Sequence, residues 1–410
     1  MKRYVIIGNG IAAANCIEGI RSTDPEGPIT VVSAETHEVY CRPLISYLLE
    51  DRTDLERMKY RDPGFYDRMG CEVIYGKKAV RIDKDARIIE LDDGTILPYD
   101  ALCVATGSYP FCPPFDGLEK VEKKFSFTTL DDALALEKAI DESSKVLIIG
   151  AGMIGLKCAE CLAERVAEVT VCDLADHILP TFLDFDCAAI VQRHMADHGV
   201  RFALSDSVTS FESGKAHMKS GAALPFDVLV LAIGARANAS LVKDIGGSGD
   251  RGMAVDEYMH TSVTDIYAAG DCTESLDVSS KQRKLLSNLP NAAMQGYTAG
   301  VNMAGGKAVF DKAIMMNSIS FFGLHSMTAG TYSGDLYEEK TESSVKRLYT
   351  EGDLLKGFVL IGCSDRAGIY TSMIRSRIPV SSVDFEMMKK AATTAAFSHD
   401  AREKMFGGMV

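Results

Sequence analysis

The sequence predicts an α/β protein made of two similar parallel-sheet domains and a small C-terminal α/β domain. Three observations lead to this prediction. A glycine-rich strand-to-helix turn lies near the start of the chain, a second copy lies in its middle, and strand and helix signals alternate around both copies. Such alternation is typical of parallel sheets whose faces are covered by helices.

The first glycine-rich turn follows an apolar strand. Tyr4–Ala13 reads YVIIGNGIAA, so that Gly8, Gly10 and Ala13 form a G-x-G-x-x-A motif. In this motif one glycine makes the tight turn, another lets a pyrophosphate approach the backbone, and the third small residue lets helix and strand pack closely. The helix that follows presents N–H groups and the positive end of its dipole to phosphate. The motif therefore predicts a dinucleotide site in a Rossmann-like domain.

The second turn repeats this arrangement and keeps the third glycine. The segment from Val146 reads VLIIGAGMIG, and its cofactor-binding candidates are Gly150, Gly152, Met153, Ile154 and Gly155. One G-x-G-x-x-G is a weak signal, but two copies, each followed by a second apolar strand that ends in an acid, indicate two bound dinucleotides. We expect a chain that binds two dinucleotides to move electrons between them.

An acid closes the strand that follows each turn. The first such strand, Thr30–Glu35, makes Glu35 the candidate for holding the adenosine ribose hydroxyls, the alternative being a solvated acid at a strand end. The second strand ends at Asp173. A carboxylate at that place accepts ribose hydroxyls and repels a 2′-phosphate, so Asp173 predicts NAD and not NADP.

Further strand, turn and helix signals complete the predicted organisation. The predicted elements are a hairpin or meander over Val80–Glu90 with a turn at Asp92–Gly94, strands at Ala101–Ala105, Phe226–Ile233 and Asp265–Asp271, a helix from about Asn291 to Ala304, strands at Ser318–Phe322 and Gly357–Ile361, and helical structure in the last thirty residues. The prolines after Thr106-Gly107 predict a crossover, and Gly234 ends the 226–233 strand at the second site. We predict a discontinuous first domain (1–114 and 238–312), a second domain (115–237) and a small C-terminal domain (313–410).

Composition indicates an intracellular globular protein. The formal charge of −13 argues against nucleic acid and anionic membrane surfaces as partners. No apolar run is long enough to cross a bilayer. The N-terminus begins with a predicted strand instead of a signal peptide. The 11 cysteines are odd in number, and Cys158 and Cys161 fall within a predicted helix as buried thiols. We therefore expect a reduced, cytoplasmic protein, and the sequence predicts no metal site.

Four motifs occur in an order that resembles the pyridine nucleotide–disulfide oxidoreductase superfamily. They are Gly8-x-Gly10-x-x-Ala13, Ala105-Thr106-Gly107, Gly150-x-Gly152-x-x-Gly155 and Ala269-Gly270-Asp271. The resemblance implies a glutathione-reductase-like fold, with FAD on the first dinucleotide motif and NADH on the second. It also implies that Asp271 binds the FAD ribityl or phosphate region. The helix near Asn291 would aim its positive end at the flavin N1–C2 carbonyl.

The segment Tyr40–Ser46 narrows the resemblance. It reads YCRPLIS and is similar to a segment of rubredoxin reductases and of the FAD domain in assimilatory NADH–nitrite reductases. The resemblance places Arg42 and Pro43 near the FAD pyrophosphate or the flavin rim, where a guanidinium suits phosphate oxygens.

Two positions depart from the family pattern. The C-x-x-x-x-C pair of the disulfide reductases has no match in the sequence. Related ferredoxin reductases carry a Lys–Glu pair near flavin N5, and this chain has Tyr47 at the Lys position and Lys157 at the Glu position. Lys157 is therefore a catalytic candidate that favours the anionic reduced flavin or orients the nicotinamide carboxamide. The alternative is a lysine that extends from a helix into solvent.

Cys41 leaves two interpretations open. It falls near the single redox cysteine of NADH peroxidases, water-forming NADH oxidases and coenzyme A–disulfide reductases. Arg42 and Pro43 depart from the small or apolar residues that those enzymes carry next, and Ile11 and Ala12 stand where the peroxidases have a histidine nearby. Cys41 is thus either a redox centre or a cysteine that occupies a serine position.

Together these features predict an FAD-dependent NADH oxidoreductase. We expect the electrons to pass to a small acidic iron–sulfur protein such as rubredoxin or ferredoxin, docked on the basic segment Lys281-Gln282-Arg283-Lys284. Two alternatives stay open: a Cys41-dependent NADH peroxidase, oxidase, coenzyme A–disulfide or persulfide reductase, and a flavin electron-transfer subunit of a larger redox complex. The sequence leaves the oligomeric state open, a homodimer included.

Overall fold

The protein is described by a computed structural model that covers residues 1–212 and 214–406. Two parallel sheets and one antiparallel sheet form its framework, which confirms the predicted α/β class. Among the helices of these ranges, none combines the length and the apolar character that a membrane span requires.

The first part of the chain builds most of the first parallel sheet. Its elements are β1 Tyr4–Ile7, α1 Ile11–Arg21, β2 Ile29–Ser33, α2 Ile45–Leu49, α3 Phe65–Arg68, β3 Cys71–Tyr75, β4 Ala79–Asp83, β5 Ile88–Leu91, β6 Ile96–Pro98, β7 Ala101–Val104 and β8 Ser108–Pro110. Strand β1 lies between β2 and β7, and Tyr4 pairs with Ile29 and Ala101. All four β1 residues are buried, because helices and loops cover both faces of a parallel sheet. The predicted hairpin is the antiparallel sheet β4-β5-β6.

The middle of the chain builds the second parallel sheet. Its elements are β9 Lys124–Phe125, α4 Leu130–Ala139, β10 Lys145–Ile149, α5 Met153–Leu162, β11 Glu168–Cys172, α6 Phe185–Asp197, β12 Val200–Ala203, β13 Val208–Glu212, β14 Lys215–Met218, β15 Ala223–Pro225, β16 Val228–Leu231 and β17 Ala235–Ala237. The sheet order is β12-β11-β10-β16-β9, with every neighbouring pair parallel. The two nucleotide turns thus follow the central strands β1 and β10.

The chain then returns to the first sheet. Its elements are α7 Ser240–Lys243, β18 Met253–Ala254, β19 Ile266–Ala268, β20 Thr273–Leu276, β21 Arg283–Leu285 and α8 Leu289–Met303. Strand β19 pairs with β7 and completes the order β19-β7-β1-β2-β3. The outgoing strand β8 and the returning strand β17 pair antiparallel, so both crossovers lie side by side. This ribbon supports, as a proposal, a domain boundary near residues 114 and 237.

Helices α1 and α8 pack with their backbones in contact. A Cβ atom on Gly296 or Gly300 would overlap a carbonyl oxygen of α1, and a Cβ on Gly19 would overlap the Tyr297 carbonyl oxygen. Helix α8 starts at Leu289, two residues before the predicted start, because the Asn288 side chain caps it and Pro290 fits its first turn. The glycines therefore fix where α8 sits relative to the first nucleotide turn.

The C-terminal part folds as a five-stranded antiparallel sheet with short helices. Its elements are β22 Met316–Phe321, β23 Leu324–Gly330, β24 Asp335–Lys340, β25 Val345–Glu351, β26 Leu354–Ile361, α9 Gly368–Ser376, α10 Phe385–Lys390 and α11 His399–Phe406. The prediction of helix throughout the last thirty residues is wrong between α10 and α11, where Phe397 bridges Val383 in extended conformation. The predicted helical residues 407–410 lie outside the described residues.

One apolar core joins the second parallel sheet to the C-terminal sheet. Phe321, Val345, Val359 and Ile361 of the C-terminal sheet are buried in the same cluster as residues of α2, α4, α5 and α6. Burial of apolar area at this scale holds two sheets together more firmly than scattered polar contacts do. The C-terminal sheet therefore shares its core with the helices of the second parallel sheet and with α2.

Candidate functional site

The turn after β1 leaves no room for a side chain on its first glycine. Gly8 has φ +110°, and a Cβ atom there would overlap the carbonyl oxygen of Ala105. Gly10 has an extended backbone, and a Cβ atom built on it would meet no described atom within 4 Å. Gly8 therefore packs against the neighbouring chain, whereas Gly10 faces open space at the N-terminus of α1.

The turn after β10 has the same geometry. Gly150 has φ +115°, and its Cβ would overlap the carbonyl oxygen of Ala232. A Cβ on Gly155 would overlap the Gly150 carbonyl oxygen, whereas one on Gly152 would meet no described atom within 4 Å. In the first turn the small residue Ala13, fully buried, takes the place of Gly155.

The two turns fit two pyrophosphates. The first turns of α1 and α5 carry the apolar side chains of Ile11 and Met153, so their N–H groups and positive dipole ends face the open space without a competing carboxylate. Met153 and Ile154 belong to this helix start, and 36% of Met153 is exposed towards solvent. The two glycine turns therefore suit the pyrophosphates of FAD and of a nicotinamide nucleotide.

The two acids lie where the strands β2 and β11 end, but their carboxylates differ in partners. Asp173 accepts hydrogen bonds from the backbone N–H of Ala151 at 2.7 Å and of Ala175 at 2.8 Å. Glu35 pairs with Arg42 and accepts from the phenol of Tyr40 at 2.7 Å. Asp173 is thus tied to the second nucleotide turn itself, whereas Glu35 is tied to the segment that follows β2.

Arg42 carries a positive charge that acts on both acids predicted for the first site. Its guanidinium binds Glu35 and also donates to the Tyr40 phenol and to the Thr128 carbonyl oxygen. Burial raises the pKa of Asp271, and the positive charge of Arg42 opposes that shift. Glu35, Arg42 and Asp271 therefore form one electrostatic group along the first cofactor cleft. Pro43 follows in an exposed 3₁₀ turn, Arg42–Leu44.

The Ala105-Thr106-Gly107 motif lies where β7 ends and meets the returning chain. Ala105 contacts Gly8, as described above, and the Thr106 hydroxyl donates to the Asn238 carbonyl oxygen at 2.6 Å. Gly107 has φ +64° and its carbonyl oxygen accepts from the Asn238 N–H. Gly234 occupies the matching place after β16 with φ +104°. These loops border the two open spaces.

Gly270 and Asp271 follow β19 and are held from behind by α8. Gly270 has φ +86°, and its N–H donates to the side-chain oxygen of Gln295 at 2.8 Å. Asn291 is buried in the first turn of α8; its backbone N–H donates to the Asn288 cap, and its side-chain amide donates to the carbonyl oxygens of Leu286 and Ile314. Asn291 therefore stabilises the helix start from within, and its N–H already has a partner.

Cys41 is partly exposed and lies directly before the 3₁₀ turn. Its N–H donates to the Met58 carbonyl oxygen, and its own carbonyl oxygen accepts from Leu44. Burial raises the pKa of the Cys41 thiol. Because the thiolate is the nucleophile, a raised pKa disfavours a role as a redox centre. Cys158 and Cys161 are both buried within α5, as predicted.

Lys157 and Tyr47, the two positions that depart from the family pair, are in contact. The Lys157 ammonium lies 4.9 Å from the Tyr47 ring centroid, donates to the Glu160 carboxylate, and donates to the Ser320 carbonyl oxygen at 3.2 Å. Only 16% of its side chain is exposed, so the alternative of a lysine that extends into solvent is wrong. The contact joins α2, α5 and β22.

The basic segment Lys281–Lys284 is a hairpin whose cations have different surroundings. Arg283 donates to the carbonyl oxygens of Val255 and Glu274, and Lys284 pairs with the buried carboxylate of Asp277 at 2.9 Å. Two of the three cations in the predicted docking segment, Arg283 and Lys284, therefore have partners within the chain. Lys281 has φ +60°, and both Lys281 and Arg283 are exposed.

Lys281 instead belongs to a basic cluster that only the fold assembles. Burial lowers the pKa of Lys281, and the positive charges of Arg377 and Lys356 lower it further, while Asp277 acts in the opposite direction. Arg377 ends α9, and Lys356 lies on β26, where it reaches Glu351 at 3.4 Å. We call Lys281, Lys356 and Arg377 the basic cluster.

Sequence reasoning missed three residues that organise the site. Tyr40 joins Glu35 to the α4 start, because its phenol also accepts from the Leu130 N–H at 2.9 Å. Gln295 holds Gly270, and Glu160 holds Lys157. A buried glutamine and a buried glutamate on otherwise apolar helix faces were the available signals, since such groups are rarely buried without a partner.

Comparison with known proteins places this geometry in a family. Residues 2–296 match the model of the family described as pyridine nucleotide-disulphide oxidoreductase. The NADH-dependent phenylglyoxylate dehydrogenase subunit epsilon of Aromatoleum evansii is 30% identical over 390 residues, covering 92% of each chain. An NADH oxidase of Methanocaldococcus jannaschii is 33% identical over 320 residues, covering 75% of this chain and 71% of that enzyme.

A solved structure shares the fold. The putidaredoxin reductase in a covalent complex with putidaredoxin superposes with a TM-score of 0.88 at 23% identity, over 96% of this chain and 99% of that chain. Both the sequence match and the paired glycine turns agree with the order of motifs in the sequence. The chain therefore belongs to the pyridine nucleotide-disulphide oxidoreductase family of FAD- and NAD(P)H-dependent enzymes.

Proposed function

We propose that this chain passes electrons from NADH, through bound FAD, to a small acidic iron–sulfur protein of the rubredoxin or ferredoxin kind. The observation that carries the proposal is the basic cluster. Lys281 and Arg377 are exposed, and the positive charges of Arg377 and of the less exposed Lys356 act on Lys281, on a chain whose formal charge is −13. Bringing like charges together costs electrostatic free energy, and an anionic partner relieves this repulsion. A cluster of positive charges therefore favours an anionic partner.

Each cofactor has its own set of candidate residues. We propose for FAD Gly8, Gly10, Ala13, Glu35, Arg42, Pro43, Ala105, Thr106, Gly107, Gly270, Asp271 and Asn291, and for NAD Gly150, Gly152, Met153, Ile154, Gly155, Asp173 and Gly234. In this assignment the turns hold pyrophosphate through backbone N–H groups, and the two acids hold ribose hydroxyls. Asn291 acts by fixing the start of α8.

FAD, when bound, accepts a two-electron hydride and releases electrons singly, which suits a place between a nicotinamide and an iron–sulfur protein. The protein's own contribution is to bring the two nucleotides together and to set the charge around them. Helices α2 and α5 meet at Tyr47 and Lys157, one from each nucleotide domain. We propose that Lys157 faces the reacting ends of both nucleotides there.

A screen of acceptors tests the proposal. Protein reduced by NADH without oxygen is mixed with oxidised rubredoxin, ferredoxin, hydrogen peroxide, oxygen and coenzyme A disulfide, and the rate of reoxidation is measured for each. We expect an iron–sulfur protein to give the highest second-order rate constant. Faster reoxidation by peroxide, oxygen or the disulfide would overturn the proposal in favour of a Cys41-dependent reductase.

A second candidate is a flavin subunit of a larger redox complex. It is favoured by the 30% identity, over 92% of both chains, to a protein named as a subunit of an NADH-dependent dehydrogenase. In that case the basic cluster would contact a permanent partner subunit. NADH-dependent reduction of free rubredoxin or ferredoxin by the isolated chain favours the first candidate, and reduction of small dyes alone favours the subunit.

A further inference from the structure

The Lys157 ammonium is held from four sides. It pairs with Glu160, donates to the Ser320 carbonyl oxygen, and lies 4.9 Å from the Tyr47 ring centroid and 5.9 Å from that of Phe321. A lysine side chain loses about 2 kcal/mol of rotamer entropy when it is fixed in this way. Its position is therefore determined by the surrounding residues.

Glu160 links Lys157 to the C-terminal sheet. Glu160 is 8% exposed, and while one carboxylate oxygen accepts from Lys157, the other accepts from the backbone N–H of Phe322 at 2.5 Å. Both oxygens of a buried carboxylate are thus used, as buried charge requires. The Phe322 N–H, in the turn after β22, therefore binds the Glu160 carboxylate, and the Glu160 carboxylate binds the Lys157 ammonium.

The Phe322 turn is itself fixed to the second nucleotide domain. Phe322 has φ +46° and precedes Gly323. Its carbonyl oxygen accepts from His194 at 3.2 Å, and its ring stacks on His198 with centroids 4.5 Å apart. The backbone N–H that binds Glu160 therefore has a fixed direction.

Charged groups surround a cavity of about 500 Å³ beside this pair. Glu50 and Arg52 form an ion pair at 2.8 Å, and the Arg52 guanidinium lies 4.4 Å from the Tyr47 ring centroid, so that Tyr47 is flanked by two cations. Glu164, in the turn that follows α5, is exposed at the cavity edge. The Lys157–Glu160 pair is the more enclosed of the two ion pairs, with 16% and 7% of its side chains exposed.

We propose that Glu160 is a positioning residue through which the C-terminal domain sets the reduction potential of the flavin. This inference rests on the proposed function in one respect, namely that Lys157 faces the flavin. Glu160 compensates the ammonium charge and fixes its place, and the Phe322 N–H fixes Glu160. The C-terminal domain is in this way part of the redox site.

The physical reason is the low dielectric of an enclosed site. A single positive charge near the flavin favours its reduced, more negative form, and a paired carboxylate removes much of that effect. Replacing Glu160 by the isosteric glutamine removes the negative charge and keeps one oxygen, which can accept from Phe322 or from Lys157. The ammonium is then uncompensated, and reduction becomes easier.

The test measures the midpoint potential of the bound flavin in the full-length holoprotein by anaerobic spectroelectrochemical titration. We expect Glu160→Gln to raise the potential by about 30 mV, which corresponds to a tenfold change in the equilibrium of a two-electron couple. We expect Lys157→Gln to lower it, and the shift caused by Glu160→Gln to shrink in the Lys157→Gln background. The matched control Glu164→Gln removes an exposed carboxylate from the turn directly after α5 and is expected to leave the potential unchanged.

Thermal unfolding of each holoprotein checks that the fold persists. The inference is overturned if Glu160→Gln leaves the potential unchanged, or if its shift is equally large without Lys157. Because the titration uses no protein acceptor, its result is independent of whether iron–sulfur proteins turn out to be the electron acceptors.

Discussion

The α-carbon of Gly8 faces the carbonyl oxygen of Ala105 so closely that a single methyl group has no place between them. The same relationship joins Gly150 and Ala232 in the second nucleotide domain. In both domains the contact holds the end of the central strand against the neighbouring strand and thereby fixes the nucleotide turn. The second glycine of each turn faces open space instead.

This contrast predicts different outcomes for two substitutions in one turn. We expect Gly8→Ala to lower the free energy of unfolding by about 2 kcal/mol or more, because it adds a clash to an unfavourable positive φ. Gly10→Ala should fold normally but bind FAD less tightly, because its methyl group fills space that the pyrophosphate needs. Urea unfolding of the apoprotein and fluorescence titration with FAD measure the two effects. Equal destabilisation by both would contradict this account of the turn.

Asp173 predicts a preference for NADH. Its carboxylate is fixed by the N–H groups of Ala151 and Ala175, so a 2′-phosphate would meet a negative charge that cannot move away. We expect kcat/KM for NADH to exceed that for NADPH at least about tenfold, which is roughly 1.4 kcal/mol. Asp173→Ala should lower the ratio of kcat/KM for NADH to kcat/KM for NADPH. Equal or better use of NADPH by the native chain would refute the assignment.

Cys41 is expected to be dispensable. Its raised pKa keeps the thiol protonated at neutral pH, so Cys41→Ser should still reduce an iron–sulfur acceptor at a near-normal rate. Stopped-flow measurement of acceptor reduction provides the check, with flavin content determined for each preparation. A loss on the order of a hundredfold, about 2.7 kcal/mol of barrier, would support the cysteine-based alternative instead.

The basic cluster is expected to control acceptor binding. Changing Lys281 and Arg377 together to Glu should raise the KM for the acceptor several-fold and leave NADH-dependent flavin reduction unchanged. Added salt should weaken the difference, because exposed charges are screened over about 8 Å at physiological ionic strength. Lys138→Glu, an exposed charge reversal on α4, is the matched control. Acceptor reduction that depends neither on these charges nor on salt would exclude this docking face.

Arg347 is expected to stabilise the contact between the C-terminal sheet and α6. Its buried guanidinium pairs with Glu338 and with Asp184, the N-cap of α6. Arg347→Met leaves both carboxylates without that partner. Because about half of the Asp184 side chain is exposed, we expect a loss of about 1–3 kcal/mol, less than for a fully buried pair. Urea unfolding of the native chain and the variant measures it.

The same pair has a pH dependence. Burial opposes ionisation of Asp184, but the Cys187 N–H and the Arg347 guanidinium outweigh it and hold the pKa of that carboxyl below its usual range. A lowered pKa in the folded state gives stability that is present above the unfolded value, about 4, and is lost as the pH falls. We expect the difference in stability between native chain and Arg347→Met to shrink below about pH 4. A difference that is constant down to pH 2 would contradict the role of Asp184.

The sequence by itself determined the features that depend on local backbone geometry. The glycines of both turns, the acid after each second strand and the Gly270-Asp271 turn were found from spacing alone, because each needs a residue type at a fixed distance along the chain. These motifs were sufficient for the fold class and for two bound dinucleotides, whereas the resemblance to a known family assigned FAD to the first site and a nicotinamide nucleotide to the second. The start of α8 was misplaced by two residues, because its cap lies outside the apolar pattern that predicts the helix.

Only the tertiary structure decided which charges act together. The charges of Lys356 and Arg377 act on Lys281, although the three residues are far apart in sequence. Within the contiguous segment Lys281–Lys284, Arg283 and Lys284 bind partners inside the chain. Glu160 became significant only when the Phe322 turn was seen to hold it. Local motifs depend on residues that are close in sequence. The surroundings of a charge depend on residues that the fold brings within a few ångströms, and periodicity and spacing do not encode these contacts.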